Sequence, residues 1–214
     1  MKKLRDWFGG SKSSAEPQAQ AVDPRKLLFS LSTIAADDIA LEPMTGPPGD
    51  ADLIFHEDDW RQIEFFAKAR QEEIAHALIS LKAFEARNRV AAGYRDIFQR
   101  KLAALPVFAD PLEALEKTLG VTAGPGPVLF HGSGTIDGRV KNGFSLPLAG
   151  KAWLYGMRDL TVLGAAMPPG ADNEVLARTF MALNQSYGLV LVDWRSQMLL
   201  LKVADDGNLE VWRP

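Results

Sequence analysis

The sequence predicts an α+β protein, with a helical N-terminal half packed with a mainly antiparallel sheet and a C-terminal β-meander. Three observations predict it. Apolar residues recur at helical spacing from Trp60 to Phe84. After Val128, short β-rich runs are separated by glycines, and strands and helices are segregated instead of alternating as βαβ units. The chain ends in three apolar runs, Leu189 to Trp194, Met198 to Val203 and Leu209 to Trp212, joined by short polar turns.

The elements follow in order. Met1 to Gly10 is basic and carries Leu4, Trp7 and Phe8, and Ser11 to Asp23 has the Ser, Ala, Gln and Pro composition of a linker. Residues 1–25 are therefore expected to be a flexible, disordered tail, and 26–214 one α+β domain with a sub-boundary near 121–127. As a membrane anchor, Leu4, Trp7 and Phe8 amount to a single weak contact, so the tail is read as a frayed terminus. Leu27 to Ile34 and Asp52 to Phe55 read as strands.

A helix is expected to open at Asp59, with Gln62 three residues on as in a capping box and an acidic first turn. Trp60, Ile63, Ala67, Ile74, Leu78, Leu81 and Phe84 lie on its apolar stripe. Tyr94, Ile97, Phe98, Leu102 and Leu105 form a second stripe, rotated from the first, which places a break between Asn88 and Gly93. Asp110 to Gly120 is a compact helix with Pro111 at its first position and Gly120 after its end. Strands are expected at Val128 to His131, Gly143 to Leu148, Ala152 to Tyr155 and Leu160 to Leu163, with a helix over Glu174 to Tyr187 before the meander.

Composition narrows the function. None of the 214 residues is cysteine, which removes disulfides, thiolate metal sites and cysteine nucleophiles and suits a reducing compartment, so the cytoplasm is the expected location. A formal charge of -3 supplies no global field for nucleic acid or an anionic bilayer.

Candidate chemistry is sparse. His56-Glu57-Asp58-Asp59 gathers groups for a hard cation or for acid-base work, although helix capping already accounts for the acids. His131-Gly-Ser-Gly134 has the wrong spacing for a phosphate loop, and pairing Ser133 with His131 as nucleophile and base rests on adjacency alone. Glu73-Ile-Ala-His76 supplies half of a di-iron motif, and with three histidines in the chain the other half is missing. Arg87, Arg89, Arg95, Arg100 and Lys101 gather around Tyr94 and Phe98 but are interrupted by Glu85 and Asp96, so nucleic acid is not expected as a partner.

Asp193, Trp194 and Arg195 stand at an expected hairpin tip, where Trp and Arg anchor protein partners well. No catalytic set closes, and neither a cofactor nor a metal is expected. The sequence thus reads as a non-enzymatic cytoplasmic protein-binding or adaptor module contacting another protein through Asp193, Trp194 and Arg195. The alternative is a metal-assisted hydrolase using His56, Glu57, Asp58 and His131.

Overall fold

The computed structural model describes residues 28–132, 134–204 and 208–214. The expected tail, with Leu4, Trp7 and Phe8, lies outside the described residues, as do Ser133 and the turn at 205–207. The chain runs β1 (Thr33–Ala35), β2 (Leu41–Glu42), β3 (Ile54–His56), β4 (Ile63–Ala67), α1 (Gln71–Asn88), β5 (Arg89–Val90), β6 (Gly93–Tyr94), β7 (Phe98–Arg100), α2 (Leu112–Leu119), β8 (Gly124–Pro125), β9 (Val128–His131), β10 (Thr135–Val140), β11 (Gly143–Pro147), β12 (Trp153–Met157), β13 (Leu163–Ala166), α3 (Asn173–Tyr187), β14 (Leu189–Asp193), β15 (Met198–Val203) and β16 (Leu209–Trp212).

One antiparallel sheet dominates, in the order β16-β15-β14-β4-β13-β12-β11-β8. The C-terminal meander forms its β14-β15-β16 flank, and the Gly/Pro-rich stretch after α2 joins its far edge as β8 against β11. A four-stranded sheet, β2-β10-β9-β3, lies apart from it and ends at β3, which runs parallel to β9.

β4 is the hinge of the whole arrangement. It pairs with β14 from Ala67↔Leu189 to Ile63↔Asp193, but touches β13 at the single position Glu64↔Gly164. Gly164 is required there, because a Cβ would meet the Tyr155 ring at 2.6 Å. Layers cover both faces of β4. Phe65 faces the core formed with α2 and α3, alongside Leu115, Phe180, Leu183, Leu189 and Leu191. Phe66 faces the core formed with α1, alongside Ile74, Leu78, Leu81, Val190 and Val192. A third core joins Tyr155 and Val162 to Phe55, Trp60, Leu129 and Val140 under the four-stranded sheet.

The expectation of a helical N-terminal half is therefore corrected: among the described residues α1 is the one α-helix before residue 112, and the architecture is mostly sheet. The segment that was to open a long helix at Asp59 turns at Trp60 and Arg61 and becomes β4. A helix through it would have set Phe65 about half a turn from the Trp60–Ile63–Ala67 stripe, leaving a large apolar ring in water. A central strand covered on both faces buries Phe65 and Phe66 together, each to about 1% exposure or less, and so shows no alternation.

The second expected helix is corrected too. Arg89, Val90, Gly93 and Tyr94 form a hairpin, and Phe98–Arg100 pairs in parallel with β1. The Phe98 ring packs against Phe84, and the Tyr94 backbone exchanges two hydrogen bonds with the Phe29 backbone. The helix ends follow the sequence closely, α1 stopping at Asn88 and α2 and α3 on left-handed Gly120 and Gly188, but the strand expected over Leu160 to Leu163 lies at Leu163–Ala166, because Leu160 takes a left-handed turn.

Where the α1 core meets the third core, a charged cluster is sealed in. Glu64, 1% exposed, accepts from Arg61 Nε at 2.7 Å and from Trp194 Nε1 at 3.3 Å. Arg61 also reaches Asp37 at 2.5 Å, and its own backbone bonds to Tyr155 Oη and Arg100. Arg100 donates to Thr33 Oγ1 at 3.0 Å and lies 4.9 Å from the centre of the Trp194 ring.

Two guanidinium groups face two carboxylates, so the cluster is neutral only when complete. Replacing Glu64 with Gln leaves Arg61 and Arg100 buried with one anion between them. We expect E64Q to lower unfolding stability by about 3–5 kcal/mol, read from denaturant midpoints at unchanged slope. A loss below about 1 kcal/mol would contradict the structural role assigned to the cluster.

Candidate functional site

The seam beside β4 opens into a cleft of about 860 Å³, within the roughly 300–1,000 Å³ typical of ligand sites. Its geometry follows from the single β4–β13 bridge. One wall comes from Gln62, Ile63 and the stretch from Ala165, at the end of β13, to Pro169, a second from the β14–β15 turn with Asp193, Arg195 and Ser196, and the third from Asp52 to His56.

That third wall is a strand edge. β9 holds the other side of β3, and the bond from Val128 N–H to Leu53 C=O sets the phase of the parallel ladder. In such a ladder alternate residues turn both backbone groups to the same side. Leu53 and Phe55 are therefore committed to β9, and the N–H and C=O groups of Ile54 and His56 point along the other edge, which borders the cleft and is free among the described residues. An open edge of this kind is a template for another extended chain.

Beside the edge lies an apolar face. His56 is in register with Phe130, and Phe130 with Ile136, so the three share one side of the four-stranded sheet with Ile54. Ile54 is 43% and Ile136 41% exposed, and the His56 and Phe130 rings meet edge-on at 5.3 Å.

Polar groups rim the opening. Arg195 pairs with Asp59 across the cleft mouth, and Asp193 accepts from Ser196 N–H at 3.0 Å and from the Ser196 hydroxyl at 2.6 Å. Asp52 is held below the ordinary carboxylate range: burial works against its charge, but the Gly49 N–H and Arg139 outweigh it. Gln62 donates to Thr33 C=O at 2.9 Å and Asp58 C=O at 2.7 Å. Gln62 lines the cleft as a residue, and its Oε1, itself buried, finds no hydrogen-bond partner among the described residues. The capping-box role expected of Gln62 is replaced by this tie between β1 and the turn.

The residues singled out in the sequence are dispersed by the fold. Asp193 and Arg195 line the cleft, but Trp194 does not project from the hairpin: it is fully buried, continuing the Val190, Val192 side of β14 into the α1 core. β4 extends under the tip, where Trp194 N–H donates to Gln62 C=O at 3.0 Å, so the tip has neighbours that a free hairpin lacks. His56 lines the cleft and its Nδ1 accepts from Asp58 N–H at 3.1 Å. His131, one residue past His56's partner Phe130, faces the opposite side and contacts Asp137. Glu57 and Asp58 stay in the turn after β3, and among the described residues no group of three or more His, Asp or Glu side chains converges as metal ligands.

Glu73 is claimed by Arg70 through bonds of 2.8 and 2.9 Å, which hold its carboxyl below the ordinary range, and His76 is exposed. Arg100 leaves the expected basic surface for the buried cluster. The β3 edge was missed in the sequence, where Asp52 to Phe55 reads as a strand but gives no sign of having one neighbour only.

Among the described residues no helix is long and apolar enough to cross a membrane. No family model matches the chain, and neither a curated protein nor a solved structure matches it.

Burial of Trp194 has a spectroscopic consequence. The difference in emission between wild type and Trp194→Phe should be a blue-shifted component that iodide does not quench. A red-shifted, iodide-quenched difference would restore Trp194 to the surface.

Proposed function

We propose that this chain is a non-enzymatic, cytoplasmic protein-binding module that captures an extended segment of another protein along the free edge of β3. The observation carrying this reading is the edge itself: Ile54 and His56 offer backbone donors and acceptors beside a cleft of about 860 Å³. Main-chain pairing would supply affinity, and alternate side chains would enter the cleft or lie on the Ile54–Phe130–Ile136 face.

Charge favours one kind of segment. Among the charged residues lining the cleft, Asp52, Asp59 and Asp193 stand against Arg195, and Glu57 and Asp58 lie just outside. Asp52 and Asp59 already have arginine partners, whereas among the described residues Asp193 accepts from Ser196 alone, so a basic residue fits best near the β14–β15 turn. The preferred partner segment alternates apolar with basic side chains. The absence of cysteine supports a reducing, cytoplasmic setting.

The test is a display selection of random linear peptides against the full chain, followed by synthesis of the best-retained sequence. N-methylating alternate residues removes the N–H groups along one edge of that peptide. We expect one N-methylated series to lose about tenfold or more in affinity and the complementary series to bind as before, since a single edge faces β3. In the protein, Ile54→Pro deletes the edge donor while sparing the β9 ladder and should weaken binding similarly. Equal affinity of both methylated series would overturn strand addition, as would failure to retain any linear peptide.

A further inference from the structure

Resting on the reading just given, we infer that the first occupant of the β3 edge is the chain's own N-terminal segment, Met1 to Phe8, which a partner must displace. The sequence there is Met-Lys-Lys-Leu-Arg-Asp-Trp-Phe. Extended, it places Lys3, Arg5 and Trp7 on one side and Lys2, Leu4, Asp6 and Phe8 on the other, so each side carries both a basic and a large apolar group. Its Lys2, Lys3 and Arg5 against Asp6 leave an excess of two positive charges, opposite to the excess of carboxylates lining the cleft.

Three independent features of the cleft point to a chain segment as ligand. Backbone groups of Ile54 and His56 lie along an edge that is unpaired among the described residues. Gln62, 4% exposed, lines the same cleft with an Oε1 that has no partner among the described residues. Ile54, beside them, keeps 43% of its surface exposed in a position where an added strand would cover it.

Reach does not forbid the contact. The stretch between Phe8 and Leu28 has a linker composition, and a coil of roughly 20 residues spans about 25 Å on average, against a domain radius of gyration of about 16 Å. Tethering at that distance corresponds to an effective concentration of about a millimolar, so a segment too weak to bind in trans can still occupy the cleft in cis. A partner with a better-matched segment would then bind with an apparent affinity reduced by the fraction of cleft already filled.

The cysteine-free sequence makes the test direct. Ser11→Cys in the full chain carries a nitroxide label, and amide signals of the nitrogen-15 protein are compared with the label oxidised and reduced. We expect Ile54, His56 and Asp193 to lose more than about half their intensity, and Leu4→Ser/Trp7→Ser/Phe8→Ser in the same chain to restore it. Mixing labelled nitrogen-14 chains with unlabelled nitrogen-15 chains should leave the signals intact, because the contact is within one molecule. Undisturbed cleft signals in the labelled chain, or broadening that appears in the mixture, would overturn the proposal.

A second readout separates this idea from the docking reading. The selected linear peptide should bind the Leu4→Ser/Trp7→Ser/Phe8→Ser chain several-fold more tightly than wild type, and through Ile54 in both. Equal affinities with Ile54 dependence intact would remove the N-terminal occupant and leave segment docking standing. Peptide binding that ignores Ile54→Pro would remove the docking reading itself.

Discussion

Everything in this protein hangs on the ion cluster around Glu64. A carboxylate in the middle of a central strand is costly to bury, and here burial pushes its pKa up while Arg61, Arg100 and the Trp194 N–H pull the other way. Arg61 is held charged: burial opposes it, but Glu64 and Asp37 outweigh burial and raise its pKa. Arg100, buried and facing Arg61, is pushed down to about 10, with Glu64 as its main support. Burial keeps Tyr155 a neutral phenol whose oxygen accepts from Arg61 N–H at 2.7 Å. Such clusters add little net stability over apolar packing of the same volume, but their directional bonds admit few alternative arrangements.

What the cluster specifies is the meeting of three layers. Arg61 sits at a φ of 57°, a left-handed backbone uncommon outside glycine, and that reversal turns the chain from the 57–59 turn into β4. Arg100 draws in β7, and with it β1 through Thr33. Gln62 follows directly, tying β1 to the turn and meeting Trp194 at the hairpin tip. The cleft is the remainder of this geometry: β13 leaves β4 after one bridge, the four-stranded sheet closes over Tyr155, and the β3 edge is left facing the gap.

Much of the C-terminal half was legible in the sequence because its signals are local. Pro111 and Gly120 punctuate α2, Gly188 ends α3, and the apolar runs after Leu189 meet turns of a few residues. The N-terminal half failed where burial is non-local. The residues from Trp60 to Ala67 fit a helical stripe, yet β14 on one side, β13 on the other and helices on both faces make them a strand, and the one local warning was Phe65 on the wrong side. Trp194 failed for the same reason, since its neighbours come from β4 and Arg100, far away in sequence. Asp193 and Arg195 do reach the cleft, but the β3 edge depends on which strand lacks a second neighbour, a property of topology and not of Ile54 or His56 themselves.

The central claim is that Ile54 and His56 accept a strand, and the most direct measurement is an amide-resolved nuclear Overhauser spectrum of the full chain bound to the best-retained linear peptide. We expect short-range contacts from the peptide backbone to the Ile54 and His56 amides at the spacing of neighbouring strands, about 4.8 Å between chains, with the Phe55 amide still bonded to β9. A bound peptide whose backbone contacts neither amide would contradict it.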